Sequence, residues 1–142
     1  MTTPFLETIA DLLAARGVAV TRFEFGYMAA RRAGGKRKPP PKAETLVPEY
    51  RAAVEQISAK MKNGQVLVIG GKSMGGRVAS LLADELLAEG RIAGLVCLGY
   101  PFHPPRKPEQ LRTEHLTHLR TPTLIVQGER DPFGSRAEVE RL

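Results

Sequence analysis

Five consecutive residues, Gly71-Lys72-Ser73-Met74-Gly75, carry the clearest chemical signal in the chain. The wholly apolar run Val66-Leu67-Val68-Ile69 precedes them, and a helical pattern from about Met74 to Glu89 follows. A serine at a sharp strand-to-helix turn is held in a strained backbone conformation. Its hydroxyl then stands clear of the sheet as a nucleophile. The turn also aims the first amides of the helix at a reacting carbonyl oxygen, so the Met74 N–H is the expected oxyanion donor. The helix N-terminus adds a favourable dipole. A serine that merely caps a glycine-rich turn is the structural alternative.

The other chemistry-bearing residues are few. Asp131 follows the predicted strand Thr123-Leu124-Ile125-Val126 by a few residues, which places it at the same carboxyl edge of a parallel sheet as Ser73. There it could orient a histidine and stabilise the imidazolium formed during acyl transfer. The alternative is an ordinary Asp131-Pro132 turn. His103, His115 and His118 all precede Asp131. His103 follows the strand beside the one that ends at Ser73, so it is a pocket candidate. His115 and His118 read as exposed polar residues on a short surface helix, and no metal-ligand spacing surrounds them. Gly71-Lys72-Ser73 resembles the end of a phosphate loop, but that motif needs glycine where Val66 stands, inside the strand. No cofactor is expected.

The elements that must position these residues alternate helix and strand, which predicts an α/β fold with a parallel sheet and helices on both faces. Thr3-Pro4 starts a helix, Thr3 as its cap, with Phe5, Ile9, Leu12 and Leu13 on one face and Gly17 as its stop. Val18 to Phe25 alternates as a strand, and 26–42 reads as a loop within a basic Gly/Pro-rich stretch of about 26–47. Pro48 opens a second helix with Tyr50, Val54, Ile57 and Met61 on its face. The helix after Ser73 buries Val78, Leu81, Leu82 and Leu86. Ile92 to Leu98 is a strand, a short helix lies around 109–119, and 135–142 begins a last helix.

At 142 residues and 42% hydrophobic, the sequence supports a single domain, 1–142, with one core. Net charge is +6, concentrated at Arg31, Arg32, Lys36, Arg37, Lys38 and Lys42, which reads as a solvated loop without nucleic-acid-binding signatures. No apolar run approaches the roughly 20 residues of a membrane span, and no signal architecture opens the chain. The single cysteine, Cys97, fits a reducing compartment, and the expected localisation is cytoplasmic.

Three segments in order, 70–77, Leu98-Gly99-Tyr100-Pro101-Phe102-His103-Pro104 and 127–134, resemble the small bacterial α/β-hydrolases akin to dienelactone hydrolases. That group's eukaryotic relatives include testis-expressed protein thirty and the third subunit of the nonspecific-lethal chromatin complex. The resemblance implies an α/β-hydrolase core with Ser73 as nucleophile, Asp131 as acid and a small-molecule acyl substrate. Dienelactone hydrolases proper carry cysteine where this chain has Ser73. The resemblance also implies an upstream inner strand with a second oxyanion donor and a downstream catalytic histidine. The sequence has neither, so an incomplete core, truncated at both ends, is expected. Low activity and self-association through unpaired strands follow from it. A non-catalytic binding or scaffold protein on the same fold is the competing expectation, and a nucleotide binder a more distant one.

Overall fold

A computed structural model describes residues 4–34 and 39–142, and by its packing the chain divides into two compact units, 1–41 and 42–142. In the first, α1 spans Pro4–Ala14, with Pro4 as its first residue; Thr3 lies outside the described residues. Gly17 ends the helix as expected, its N–H donating to the Ala14 carbonyl and that of Val18 to the Leu13 carbonyl. The stretch 18–25 is not a strand. It is extended at Phe25, but no described strand offers it a ladder, and alternating side chains alone do not make a strand.

The expected loop at 26–42 is also corrected. Gly26–Arg32 forms α2, whose Met, Ala and Arg residues are strong helix formers. Arg31 and Arg32 sit in its last turn, where cations complement the helix dipole. Arg31 lies over the Tyr27 ring at 5.3 Å, and Arg32 pairs with Glu24 at 2.8 Å. The basic residues at 36–38 lie outside the described residues.

The second unit holds the sheet. Helix α3 runs Ala43–Ser58, so Pro48 lies inside it rather than at its start. Proline has no N–H to donate to the Glu44 carbonyl one turn back, so α3 forgoes one of its own hydrogen bonds there. The buried stripe is Leu46, Tyr50 and Val54, with Ala43 beside it. Met61 falls beyond the helix. Strand β1 is Val68–Lys72, α4 is Met74–Ala88, β2 is Gly94–Leu98, β3 is Thr123–Val126 and α5 is Arg136–Val139. A 3-10 helix occupies Glu114–His118, and α5 stops short of the expected run to 142.

The three strands are parallel in the order β1-β2-β3, with Ile69 opposite Leu95 and Cys97 opposite Ile125. This is the core of an α/β fold. Ile69, Leu95 and Cys97 are buried on one face, which α4 covers, and α3 packs against α4. The buried residues of α4 include Val78, Ala79, Leu82, Ala83 and Leu86; Leu81 is only half-buried. Side chains of alternate parity leave the other way, and there Val68, Leu124 and Val126 are 52%, 58% and 52% exposed. The apolar run before Ser73 is therefore not covered on both sides.

Two polar devices hold this half-sandwich. The Tyr50 hydroxyl, on α3, donates to the Gly70 carbonyl at 2.6 Å and accepts the Gly70 N–H at 3.0 Å. It takes both ladder groups that an edge residue of β1 would otherwise leave unpaired. On α4, the Asp84 carboxylate accepts the Thr121 hydroxyl at 2.7 Å, the Thr121 N–H at 2.8 Å and the Arg120 N–H at 3.0 Å. That clamp fixes the chain just before β3.

The Thr121 hydroxyl, followed by the two N–H groups, holds the Asp84 carboxyl below its ordinary range. A depressed native pKa means that this stability is present above the unfolded value of about 3.9 and disappears as pH falls through the lower native value. Asp84→Asn should therefore destabilise the chain at pH 7, and the gap to the unsubstituted chain should narrow at pH 3. Denaturant unfolding at both pH values measures it. A gap that is the same at both would rule out the clamp's charge.

Candidate active site

Ser73 occupies the corner between β1 and α4 with φ 50° and ψ −117°. That region is strained for any residue with a β-carbon, and it persists only where the surroundings impose it. Here they do. A β-carbon on Gly71 would stand 2.4 Å from the Gly75 carbonyl carbon and 2.6 Å from the Gly76 nitrogen. One on Gly76 would stand 2.8 Å from the Gly71 oxygen. The turn closes because the chain crosses itself at Gly71 and Gly76. Gly75, the last residue of the five-residue motif, has open space around it.

The Ser73 side chain makes no capping bond to α4, so the corner does not use the hydroxyl for its own stability. That disposes of the capping-serine alternative. The Ser73 N–H donates to the Leu98 carbonyl at 2.9 Å and the Ser73 carbonyl accepts the Arg77 N–H at 3.1 Å. Met74 is the first residue of α4, where an N–H has no acceptor within the helix.

Asp131 reaches the same end of β2. Its Oδ2 lies 3.4 Å from where a β-carbon on Gly99 would stand, and Gly99 has φ 62°. Gly99 follows Leu98, the residue that receives the Ser73 N–H. Asp131 Oδ1 accepts the Phe133 N–H at 2.9 Å, which fixes the carboxylate by its own turn. The sheet thus brings Ser73 and Asp131 to one edge, over the end of one strand.

The three histidines differ in their surroundings. His103 is buried, with Nδ1 2.8 Å from the Pro104 carbonyl, so that nitrogen carries the proton. Its Nε2 has no hydrogen-bond partner; the nearest carboxylate is Glu138, at 3.6 Å, a separation too long for a hydrogen bond. The Ser135 hydroxyl and N–H already bind that carboxylate and, with a smaller contribution from His103, lower the Glu138 pKa. His103 is a packed residue rather than an open pocket wall. His115 also departs from its expectation. It is half-buried, its Nε2 lies 2.8 Å from the Ser80 hydroxyl, and Ser80 donates to the Arg77 carbonyl. His115 must then donate, and burial, followed by the charge of Arg77, pushes its pKa down. His118 is exposed, as expected.

A shallow cleft of about 170 Å³ lies at the end of β3, lined by Gln127, Gly128, Glu129, Arg136, Val139 and Glu140, and Ser73 is not in its wall. Among the described residues, no group of three or more His, Cys, Asp or Glu could hold a metal ion, and no helix is long and apolar enough to cross a membrane.

The family model described as an alpha/beta hydrolase domain matches residues 1–142, the whole chain. The protein belongs to the alpha/beta hydrolase domain family. No solved structure matches the chain. The parallel sheet, the helix behind the serine turn and the order of elements are those of such a domain's core, and membership points to hydrolase chemistry. Ser73 and Asp131 are legible in the sequence, but that Gly76, not Gly75, makes the turn possible is not, and neither is the part played by Gln127. The Gln127 side chain accepts the Tyr100 N–H at 2.8 Å and donates to the Tyr100 and Gly134 carbonyls at 3.2 and 3.0 Å. Its only signal was its place four residues before Asp131.

Proposed function

We propose that this chain is the catalytic core of a serine hydrolase acting on an ester, thioester or similar acyl compound. The observation that carries the reading is the strained backbone of Ser73 at the start of α4, with a hydroxyl that caps nothing. In this reading Ser73 Oγ attacks the acyl carbon as its proton passes to a base. The carbonyl oxygen gains charge against the Met74 N–H, and collapse expels the alcohol or thiol with that proton, leaving an acyl-serine. Water then releases the acid. Asp131 orients the base and stabilises its cation. Of the three histidines, His115 is engaged by Ser80 and His118 is exposed, while His103 is buried with its Nδ1 on the Pro104 carbonyl.

The lineage we favour is the dienelactone-hydrolase-like group, on the strength of the three motifs at 70–77, 98–104 and 127–134. We read 1–142 as one domain, in a cytoplasmic protein with a small-molecule substrate rather than nucleic acid or membrane as partner. The bare apolar face beside β1 supports self-association, which sedimentation at increasing concentration would reveal as a rising mass. A second reading, a binding or scaffold protein with a relic turn, draws its support from the histidines' engagements.

A fluorophosphonate probe separates the two. Slow labelling of the chain should vanish in Ser73→Ala. It should rise when imidazole is supplied in solution, because an added base can take the proton of the Ser73 hydroxyl, and Asp131→Asn should blunt that rise. Loss of the base alone costs on the order of 10⁶ in related triads, so the rescue has a wide range to work in. Labelling indifferent to Ser73, or absent with imidazole present, favours the scaffold.

A further inference from the structure

The ladder between β2 and β3 stops at Leu98 opposite Val126, followed by one more bond, from the Gly99 N–H to the Val126 carbonyl at 2.8 Å. Gly99, at φ 62°, turns the chain out of the strand, and the partner of the following residue, Tyr100, is not a main chain. It is the side-chain amide of Gln127, which accepts the Tyr100 N–H and donates to the Tyr100 carbonyl. A primary amide carries one acceptor and two donor hydrogens, the groups of a peptide unit with one N–H to spare. The spare hydrogen goes to the Gly134 carbonyl.

The backbone after Gln127 leaves the sheet while its side chain stays bound to Tyr100. It turns through Gly128, whose carbonyl accepts the Asp131 N–H at 3.1 Å, and through Asp131, whose carbonyl accepts the Gly134 N–H at 3.1 Å. The bond from Gln127 to Gly134 then closes this excursion at its base, with Asp131 at its tip over Gly99. The far side of the loop is set by packing. A β-carbon on Gly134 would meet the Phe102 ring at 2.6 Å, and the Phe133 carbonyl accepts the His103 N–H at 3.3 Å.

We propose that Gln127 is the positioning residue for Asp131: its amide ties Tyr100, just beyond the β2–β3 ladder, to Gly134 and so clasps the loop that carries the acid. The positioning role rests on the serine-hydrolase reading, but the clasp itself does not. Gln127→Leu keeps the size and removes all three bonds. Gln127→Glu keeps the acceptor and, when ionised, has no hydrogen to give to either carbonyl.

Amide hydrogen exchange, resolved by residue, tests the clasp on the chain as it stands. In Gln127→Leu the amides of Tyr100, Phe133 and Gly134 should exchange at least about tenfold faster, a loss equivalent to one hydrogen bond of roughly 1.4 kcal/mol, while the α4 amides keep their protection. In Gln127→Glu the same amides, corrected for intrinsic rate, should regain protection as pH falls below about 4 and the new carboxyl takes up a proton it can donate. Unchanged exchange at Phe133 and Gly134 overturns the clasp, and so does acceleration shared equally by α4. Probe labelling with imidazole present tests the positioning role separately. Its rate should fall at least tenfold in Gln127→Leu, and a retained rate despite opened loop amides overturns that role. Absence of labelling in the unsubstituted chain would count against the hydrolase reading, and the exchange result would still decide the clasp.

Discussion

Gly71→Ala should leave the chain largely unfolded under conditions where Gly75→Ala leaves it folded. The added β-carbon at position 71 would stand 2.4 and 2.6 Å from main-chain atoms of Gly75 and Gly76, which cannot rotate aside as a side chain could. Relief requires the first turn of α4 to move away from β1, and that movement opens the corner at Ser73. Overpacking costs about 1–3 kcal/mol and occasionally more, and a clash with main-chain atoms belongs at the upper end, a large share of the roughly 5–15 kcal/mol available to a small domain. At Gly75 there is nothing within 4 Å, and alanine within a helix is favoured over glycine by about 1 kcal/mol. Urea unfolding followed by circular dichroism measures both. Equal midpoints for the two variants would refute the crossing of the chain at 71 and 76.

Tyr50→Phe should be nearly as damaging. The hydroxyl answers both the N–H and the carbonyl of Gly70, and phenylalanine leaves both unpaired beneath α3. An unsatisfied buried backbone group costs about 1–3 kcal/mol, so a loss of about 2 kcal/mol or more is expected for the pair. The same variant uncovers the edge of β1, and sedimentation should show more self-association than in the unsubstituted chain. Burial is the chief cause that pushes the Tyr50 hydroxyl up to about 12, opposed in part by its bond to Gly70. A raised native pKa means that the stability is present below the unfolded value of about 10 and disappears as pH rises from there towards about 12. The unsubstituted chain should therefore lose an advantage over Tyr50→Phe across that interval. A variant equal in stability at pH 7 would show that the edge needs no cover.

Local signals account for the parts of the fold that were legible. The strand at Thr123–Val126 matches its expected bounds, and α4 begins at the residue after Ser73, because apolar runs and a glycine-rich corner are properties of adjacent residues. Val18 to Phe25 failed for the opposite reason. Its alternation is real, yet a strand is a pairing, and no single segment reveals whether a neighbour exists. The charge of Arg31 and Arg32 suggests a loop, but the helix-forming residues around them outweigh it. At the site, Ser73 and Asp131 could be named because motif and order mark them. The difference between Gly75 and Gly76 could not be seen, since both are glycine and only the approach of Gly71 tells them apart. His115 reaches Ser80 across 35 positions of sequence, a distance at which periodicity is silent.

The only cysteine in the sequence lies under this corner. Cys97 is buried in β2, its thiol 3.5 Å from the Gly76 carbonyl, and burial pushes it up to about 11. The thiolate is the form that attacks alkylating reagents, so both access and ionisation are denied while α4 rests on the sheet. Every modified molecule must first have parted helix from strand at the floor of the nucleophile turn. The chain thus contains a built-in clock for that parting, readable by mass with no label added. Changes that loosen the serine's seat will quicken it, and a compound lodged above the seat will slow it.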